Sequence, residues 1–229
     1  MLSHETMQRI ASRRVIIFGV GGVGSWCAEA LVRTGIRRLT IVDFDCVDPT
    51  NINRQLMATT ATIGQPKVNV LRERLLSINP DADITVRQQT FCEETAADFH
   101  LQDYDYIIDA IDSLKDKARL IELACQTKAR LYASMGAALK LNPTRIQVAE
   151  FWKVKGDSLA RALRNHFKQQ QRFPKRKFQC VFSDEAVQPH GQAKGSLVHI
   201  TSIFGMTLAG LVIQDIHKSH TEQPTTPLK

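Results

Sequence analysis

The stretch VIIFGVGGVGSWC places Gly19, Gly21, Gly22 and Gly24 between an apolar run and a helical pattern. Glycines at this spacing let a backbone turn tightly and approach a phosphate, whose charge the N–H groups at a helix start can meet. Strand, glycine loop and helix in that order predict a nucleotide site. Roughly 20 residues further on, Asp43 ends a second apolar run, where an acidic side chain normally holds a ribose hydroxyl pair. Asn51 and Arg54 are spaced to share one side of a helical turn. Lys67 follows Pro66, a residue suited to a first helical turn. Arginine and lysine converging on a glycine loop can neutralise a triphosphate rather than merely hold a bridging diphosphate. Asp109 and Asp112, in YDYIIDAIDS, close a further apolar run. A carboxylate at that edge suits magnesium bridging phosphates. Each residue alone has an ordinary alternative: Arg54 a surface ion pair, Lys67 a solvated side chain, Asp109 a strand-end cap. Together they outweigh a plain NAD oxidoreductase reading, which leaves Arg54, Lys67 and Asp112 without a purpose.

The elements that must position these residues follow from periodicity. Short β-type runs are expected at 14–19, 38–43, 83–89, 105–110 and 131–134, separated by helical patterns such as Val68, Leu71, Leu75 and Ile78, then Leu114, Ala118, Ile121 and Cys125. Alternation of this kind predicts a Rossmann-like, doubly wound, mainly parallel α/β sheet. The pattern changes after Asn142-Pro143. TRIQVAEF reads as a strand, 157–169 as a basic helix, FQCVFS as a strand and 199–218 as a long terminal helix. The expected organisation is a nucleotide-binding domain over 1–140, an α+β extension over 141–218 packed on it, and a flexible polar tail over 219–229.

Composition narrows the class. With 229 residues, 43% apolar and 23% charged, the chain can bury a real core. The N-terminus lacks the apolar stretch of a signal peptide, and the run ITSIFGMTLAGLVIQ is too short and polar to predict a membrane span. A cytoplasmic location is expected. The five cysteines (27, 46, 92, 125 and 180) form no C-x-x-C pair, which argues for reduced thiols and against a four-cysteine zinc site. Charge is strongly localised: residues 151–180 carry nine Lys/Arg against Asp157 alone, a net +8, whereas the rest of the chain is −1. Such a segment predicts a polyanion partner.

The motifs GVGGVG, DFDCVDPTNINRQ, GQPK and DAIDS, in that order across about residues 14–137, resemble the ATP-binding domain shared by ubiquitin-activating enzymes and the bacterial molybdopterin- and thiamine-pathway adenylyltransferases. The resemblance implies that ATP is bound by the four glycines with Asp43, Asp45, Asn51, Arg54, Gln55, Lys67 and Asp112. Asp43 would hold the ribose, Asn51, Arg54 and Lys67 the phosphates, and Asp112 magnesium. Arg54, Lys67 and Asp112 would serve a carboxylate attacking the α-phosphate to give an acyl-adenylate. Longer stretches, including GGVGSWCAEALVRTGI, GAALKLNPTRIQVAEFWK and KFQCVFSDE, are similar to the tRNA threonylcarbamoyladenosine dehydratases. That likeness implies a tRNA substrate carrying a modified adenosine, a homodimer partly joined by the terminal helix, and a sulfur-relay or cysteine desulfurase protein as a further partner. The cations expected on tRNA phosphates are Arg161, Arg164, Lys168, Arg172, Lys175, Arg176 and Lys177. Phe167 and Phe173 are able to stack a base, although core packing is the preferred role for both. Cys180 alternates with aromatic residues and is read as core-facing rather than as an acyl acceptor. Such relatives carry, in a longer N-terminal segment, an arginine reaching the partner subunit's ATP site; none of Arg9, Arg13 and Arg14 is matched to it. The loop 185–196 is also shorter than theirs. The alternatives are an adenylyltransferase acting on a ubiquitin-like sulfur carrier, and an RNA-binding scaffold without chemistry.

Overall fold

The alternating apolar runs condense into one sheet of seven strands. The computed structural model describes residues 2–186 and 195–221. The strands are β1 (Arg14–Phe18), β2 (Arg38–Val42), β3 (Asp83–Arg87), β4 (Tyr106–Asp109), β5 (Arg130–Ser134), β6 (Ile146–Glu150) and β7 (Gln179–Ser183). Their order is β3-β2-β1-β4-β5-β7-β6, with every pairing parallel except β6 against β7. This is the expected Rossmann-like, mainly parallel sheet. The last two strands extend the same sheet, so the chain beyond residue 140 supplies an edge as well as helices.

Central strands are almost wholly buried, and mostly apolar, because both faces are covered. β1 buries four consecutive residues, Val15 to Phe18, and β4 buries all four of its own. One face carries α1 (His4–Ser12), α2 (Gly24–Arg33), α3 (Lys67–Ile78) and α6 (Val198–Thr221); the other carries α4 (Leu114–Ala124) and α5 (Ser158–Gln170). Four expected strands end one or two residues earlier than anticipated: β1 stops where Gly19 turns with φ of 82°, and Gly19, Asp43, Gln89 and Ala110 beyond the ends of β1 to β4 line a cavity instead. TRIQVAEF holds only five strand residues, with short 3-10 turns at Pro143–Arg145 and Phe151–Lys153 on either side. Of the expected tail over 219–229, residues 219–221 belong to the terminal helix instead; residues 222–229, and 187–194 of the loop 185–196, lie outside the described residues.

The terminal helix is longer than its apolar run, at 24 residues, and by length and composition it matches a membrane span. Its apolar content already has an internal use. Ile200, Phe204, Leu208, Val212 and Ile216, each four apart, are fully buried in the core shared with α2. Close approach of the two helices depends on Gly205. A Cβ there would lie 2.4 Å from the Val23 carbonyl oxygen and 2.8 Å from the Cys27 nitrogen, both backbone atoms at the start of α2. Gly205→Ala is therefore expected to cost about 2 kcal/mol by overpacking, seen as a lower Tm together with weakened ATP binding, because α2 carries the glycine loop.

Candidate active site

At the carboxyl ends of β1, β2, β4 and β5 a cavity of about 640 Å³ opens where the strand order reverses. Ligands of doubly wound sheets bind at such a point. Gly24 admits no side chain, since a Cβ would meet the Gly19 carbonyl oxygen, and a Cβ on Gly19 would come within 2.7 Å of the Ala110 carbonyl oxygen. Gly21 faces Gln55 and Gly22 faces Thr201. No side chain caps α2. The N–H groups of Gly21, Gly22 and Val23 have no partner among the described residues, so the loop presents donors to the cavity as an anion site requires.

Asp43 braces this loop. Its carboxylate accepts from the Val20 N–H at 2.9 Å and from the Asp45 N–H at 3.0 Å, leaving lone pairs for a ribose. Burial pushes its pKa up, opposed by those two bonds and by Lys67. Lys67 is the first residue of α3, with Pro66 at the cap position rather than in the first turn. The lysine is buried, and its Nζ lies 2.7 Å from Asp45 Oδ2, so Asp45 acts here as the holder of the cation. The backbone fixes the same approach: the Lys67 N–H donates to the Asp45 carbonyl at 3.0 Å.

Asn51 closes a capping box, its carboxamide oxygen accepting from the Asp48 N–H at 3.1 Å. Arg54 and Gln55 both donate their backbone N–H to the Asn51 carbonyl, which keeps the turn going and brings Asn51, Arg54 and Gln55 to one cavity wall. Arg54 Nη1 donates to the Thr50 carbonyl at 2.7 Å and to Asn53 Oδ1 at 2.9 Å. Its Nε and Nη2 donors have no partner among the described residues. Asp112 stands exposed on the opposite rim. All eleven residues expected to hold the nucleotide belong to this region, and most line the cavity directly.

Asp109 does not reach the cavity. It is fully buried and pairs with Lys117 at 2.9 Å, so it supports the rim instead of joining it. The described residues contain no group of three or more His, Cys, Asp or Glu able to hold a metal by themselves. A single rim carboxylate suits magnesium in the form that nucleotide sites use, with one or two protein oxygens and the rest from phosphates and water.

The far wall was missed by sequence reasoning. It runs through Ser134, Gly136, Leu139 and Lys140, with Ser158 and Leu159 at the start of α5. Asp157 joins the two parts, accepting from the Gly136 N–H at 3.0 Å and capping α5 through the Ala160 N–H at 2.8 Å. Its one sequence signal was an aspartate just before a helical pattern. Lys140 is buried and donates to the carbonyls of Ser183 and Glu185.

The seven cations expected on RNA separate into two groups. Arg161, Lys168, Lys175 and Lys177 are exposed and form no ion pair among the described residues. Arg164 donates to the Phe151 carbonyl at 3.1 Å, Arg172 pairs with Glu122 at 2.8 Å, and Arg176 donates to the carbonyls of Ala124 and Ala129. Phe167 is fully buried as expected, but Phe173 is 52% exposed and corrects the core reading for that ring. It follows Gln171, whose left-handed φ of 52° turns the chain away from α5. Cys180 is fully buried and its thiol is pushed well above the ordinary range by burial, which agrees with a core role.

Among known proteins, a tRNA threonylcarbamoyladenosine dehydratase of Bacillus subtilis (strain 168) is 34% identical over 235 residues, covering 95% of this chain and 92% of the relative. The crystal structure of Escherichia coli tRNA N6-threonylcarbamoyladenosine dehydratase in complex with ATP is similar at a TM-score of 0.89 and 34% identity, covering 96% of this chain and 92% of that one. The AMP complex of the same enzyme is similar to the same degree, at 35% identity. The model of the ThiF family matches residues 1–229, and the chain belongs to the ThiF family.

Proposed function

We propose that this protein is an ATP-dependent dehydratase that cyclises threonylcarbamoyladenosine in tRNA, acting in the cytoplasm as a homodimer. The observation that carries this reading is the cavity in which the open glycine-loop donors, Asn51, Arg54 and Lys67 face Asp112 across the end of the sheet. Relatives that share nearly the whole length, and solved complexes with ATP and AMP, support the substrate and the nucleotide. The exposed Ile203 and Met206 on α6, at 37% and 44%, supply apolar surface for a second copy.

Asp43 holds the ribose and the loop N–H groups take the phosphates. A carboxylate oxygen of the modified nucleoside attacks the α-phosphorus and the bond to pyrophosphate breaks. Negative charge grows on the phosphate oxygens, and Arg54 and Lys67 stabilise it from positions already fixed by Thr50, Asn53 and Asp45. Asp112 would hold magnesium, which neutralises phosphate charge when bound. A nucleophile of the same nucleoside then closes the ring on the activated carbon. AMP leaves with the former carboxylate oxygen, and the net change is loss of one water. No cysteine is needed for either step.

The test is incubation of the protein with tRNA bearing linear threonylcarbamoyladenosine, ATP and magnesium, with nucleosides read by mass spectrometry. Product lighter by one water, formed only with ATP, is expected; an unchanged nucleoside with ATP still bound would overturn the assignment. Arg54→Ala and Lys67→Ala should each remove about 3–4 kcal/mol of transition-state stabilisation, a loss of roughly 150- to 1,000-fold in turnover, with circular dichroism unchanged. Normal turnover in both variants would remove these cations from the mechanism. Cys180→Ala should retain turnover, and a dead but folded variant would restore a covalent route.

A further inference from the structure

Beyond the cavity, β6 leads into a cluster of aromatic rings that runs from core to surface. Phe151 is fully buried, stacked on Phe178 at 5.0 Å and met edge-on by Phe167 at 5.9 Å, with the Arg164 guanidinium 5.8 Å above its ring. Trp152 packs edge-on against Phe151 at 5.1 Å yet remains 40% exposed. Phe173 reaches Trp152 at 6.2 Å with the ring planes tilted by 41°. Two large rings therefore stand side by side in solvent.

Their frame is rigid. Arg172, just before Phe173, is tied to Glu122, and Arg176, three residues after it, is tied to the carbonyls of Ala124 and Ala129. Trp152 is held from beneath by Phe151. The neighbouring Lys153, Lys155, Lys175 and Lys177 are exposed and form no ion pair among the described residues. α5 begins at the cavity with Ser158 and Leu159, and its 13 residues rise about 20 Å. Arg161 and Lys168 on this helix carry positive charge along the way.

Exposed aromatics beside unpaired lysines match one ligand chemistry, unpaired nucleotides on a phosphate backbone. Bases splayed from a loop stack on aromatic faces while cations follow the phosphates. A duplex offers no free base face. We propose that Trp152 and Phe173 form a base-stacking platform that docks single-stranded loop nucleotides of the RNA substrate. The proposal rests on the RNA-directed reading above and names residues that it leaves open.

The experiment measures affinity of the full protein for a short RNA hairpin with an unpaired loop, and for a blunt RNA duplex of equal length. Trp152→Ala and Phe173→Ala should each weaken hairpin binding by about 5- to 150-fold, with duplex affinity and ATP affinity unchanged and the fold retained by circular dichroism. Trp152→Phe should recover most of the lost affinity. Hairpin should also quench the wild-type tryptophan emission, and the quenching should vanish in Trp152→Ala although Trp26 remains. Unchanged hairpin affinity in both alanine variants overturns the platform and leaves the rings to a protein partner. Equal losses for hairpin and duplex overturn it as well, in favour of charge alone. Hairpin binding through the platform without dehydration of tRNA would instead refute the proposed reaction and keep the platform.

Discussion

The buried ion pair between Asp109 and Lys117, 2.9 Å apart with neither side chain exposed, is the constraint on which the site depends. Burial pushes the Asp109 carboxyl above its ordinary range, while Lys117 and the Ile111 N–H pull it back. Removing one member would strand the other charge in the interior, at roughly 3–5 kcal/mol. The pair also shapes the chain. Lys117 donates to the Ile111 carbonyl at 3.0 Å and the Ile111 N–H donates to Asp109 Oδ1 at 3.1 Å, so residues 109–111 are wound tightly at the end of β4. That winding fixes the Ala110 carbonyl against Gly19, leaving room for a glycine only, and sets Asp112 on the rim.

Around this anchor, the cavity shows stability given up for preorganisation. α5 has a buried aspartate cap, as a helix start normally prefers, but α2 has no side-chain cap at all. Both helix starts lie at the cavity: Asp157 ties the start of α5 to the loop at Gly136, whereas the start of α2 leaves its N–H groups open toward the space. The cations are arranged alike. Lys67 and Arg54 are held in place by protein partners, Asp45 in one case and backbone and Asn53 in the other, which is the preorganisation that the proposed reaction would use. Electrostatic stabilisation costs least when the dipoles and charges need not reorganise during reaction.

Much of this was legible in the sequence because the relevant residues are local. The glycine loop, Asp43, Asn51 and Arg54 lie in contiguous stretches, where spacing indicates what can face what, while Asp45 and Gln55 come from the family resemblance alone. The other half of the cavity comes from residues joined only by the fold. Asp157 meets Gly136 across 21 positions of the chain, and Lys140 meets Ser183 across 43. No periodicity encodes either contact. The carboxylates of YDYIIDAIDS show the same limit: Asp109 and Asp112 look equivalent as symbols, yet one is inside and the other outside, because Lys117 at the end of the first turn of α4 pairs with Asp109 alone. Phe167 and Phe173 part in the same way at the left-handed Gln171.

The basic segment shows how charge counting differs from charge use. Of its arginines, Arg164, Arg172 and Arg176 bind carbonyls or a carboxylate, as suits a planar fork of donors, whereas its lysines stay hydrated outside. Three of the four arginines thus build the surface, and the lysines together with Arg161 charge it. α5 then links that surface to the chemistry. Its first turn is locked to the cavity wall through Asp157 and Gly136, and its buried Phe167 packs on Phe151 beneath the exposed rings. Whatever polyanion lies along this helix is therefore held in a set register to the nucleotide cavity. A flexible basic tail of equal charge would attract RNA as strongly but fix no such register, and charge neutralisation at a single phosphorus requires one.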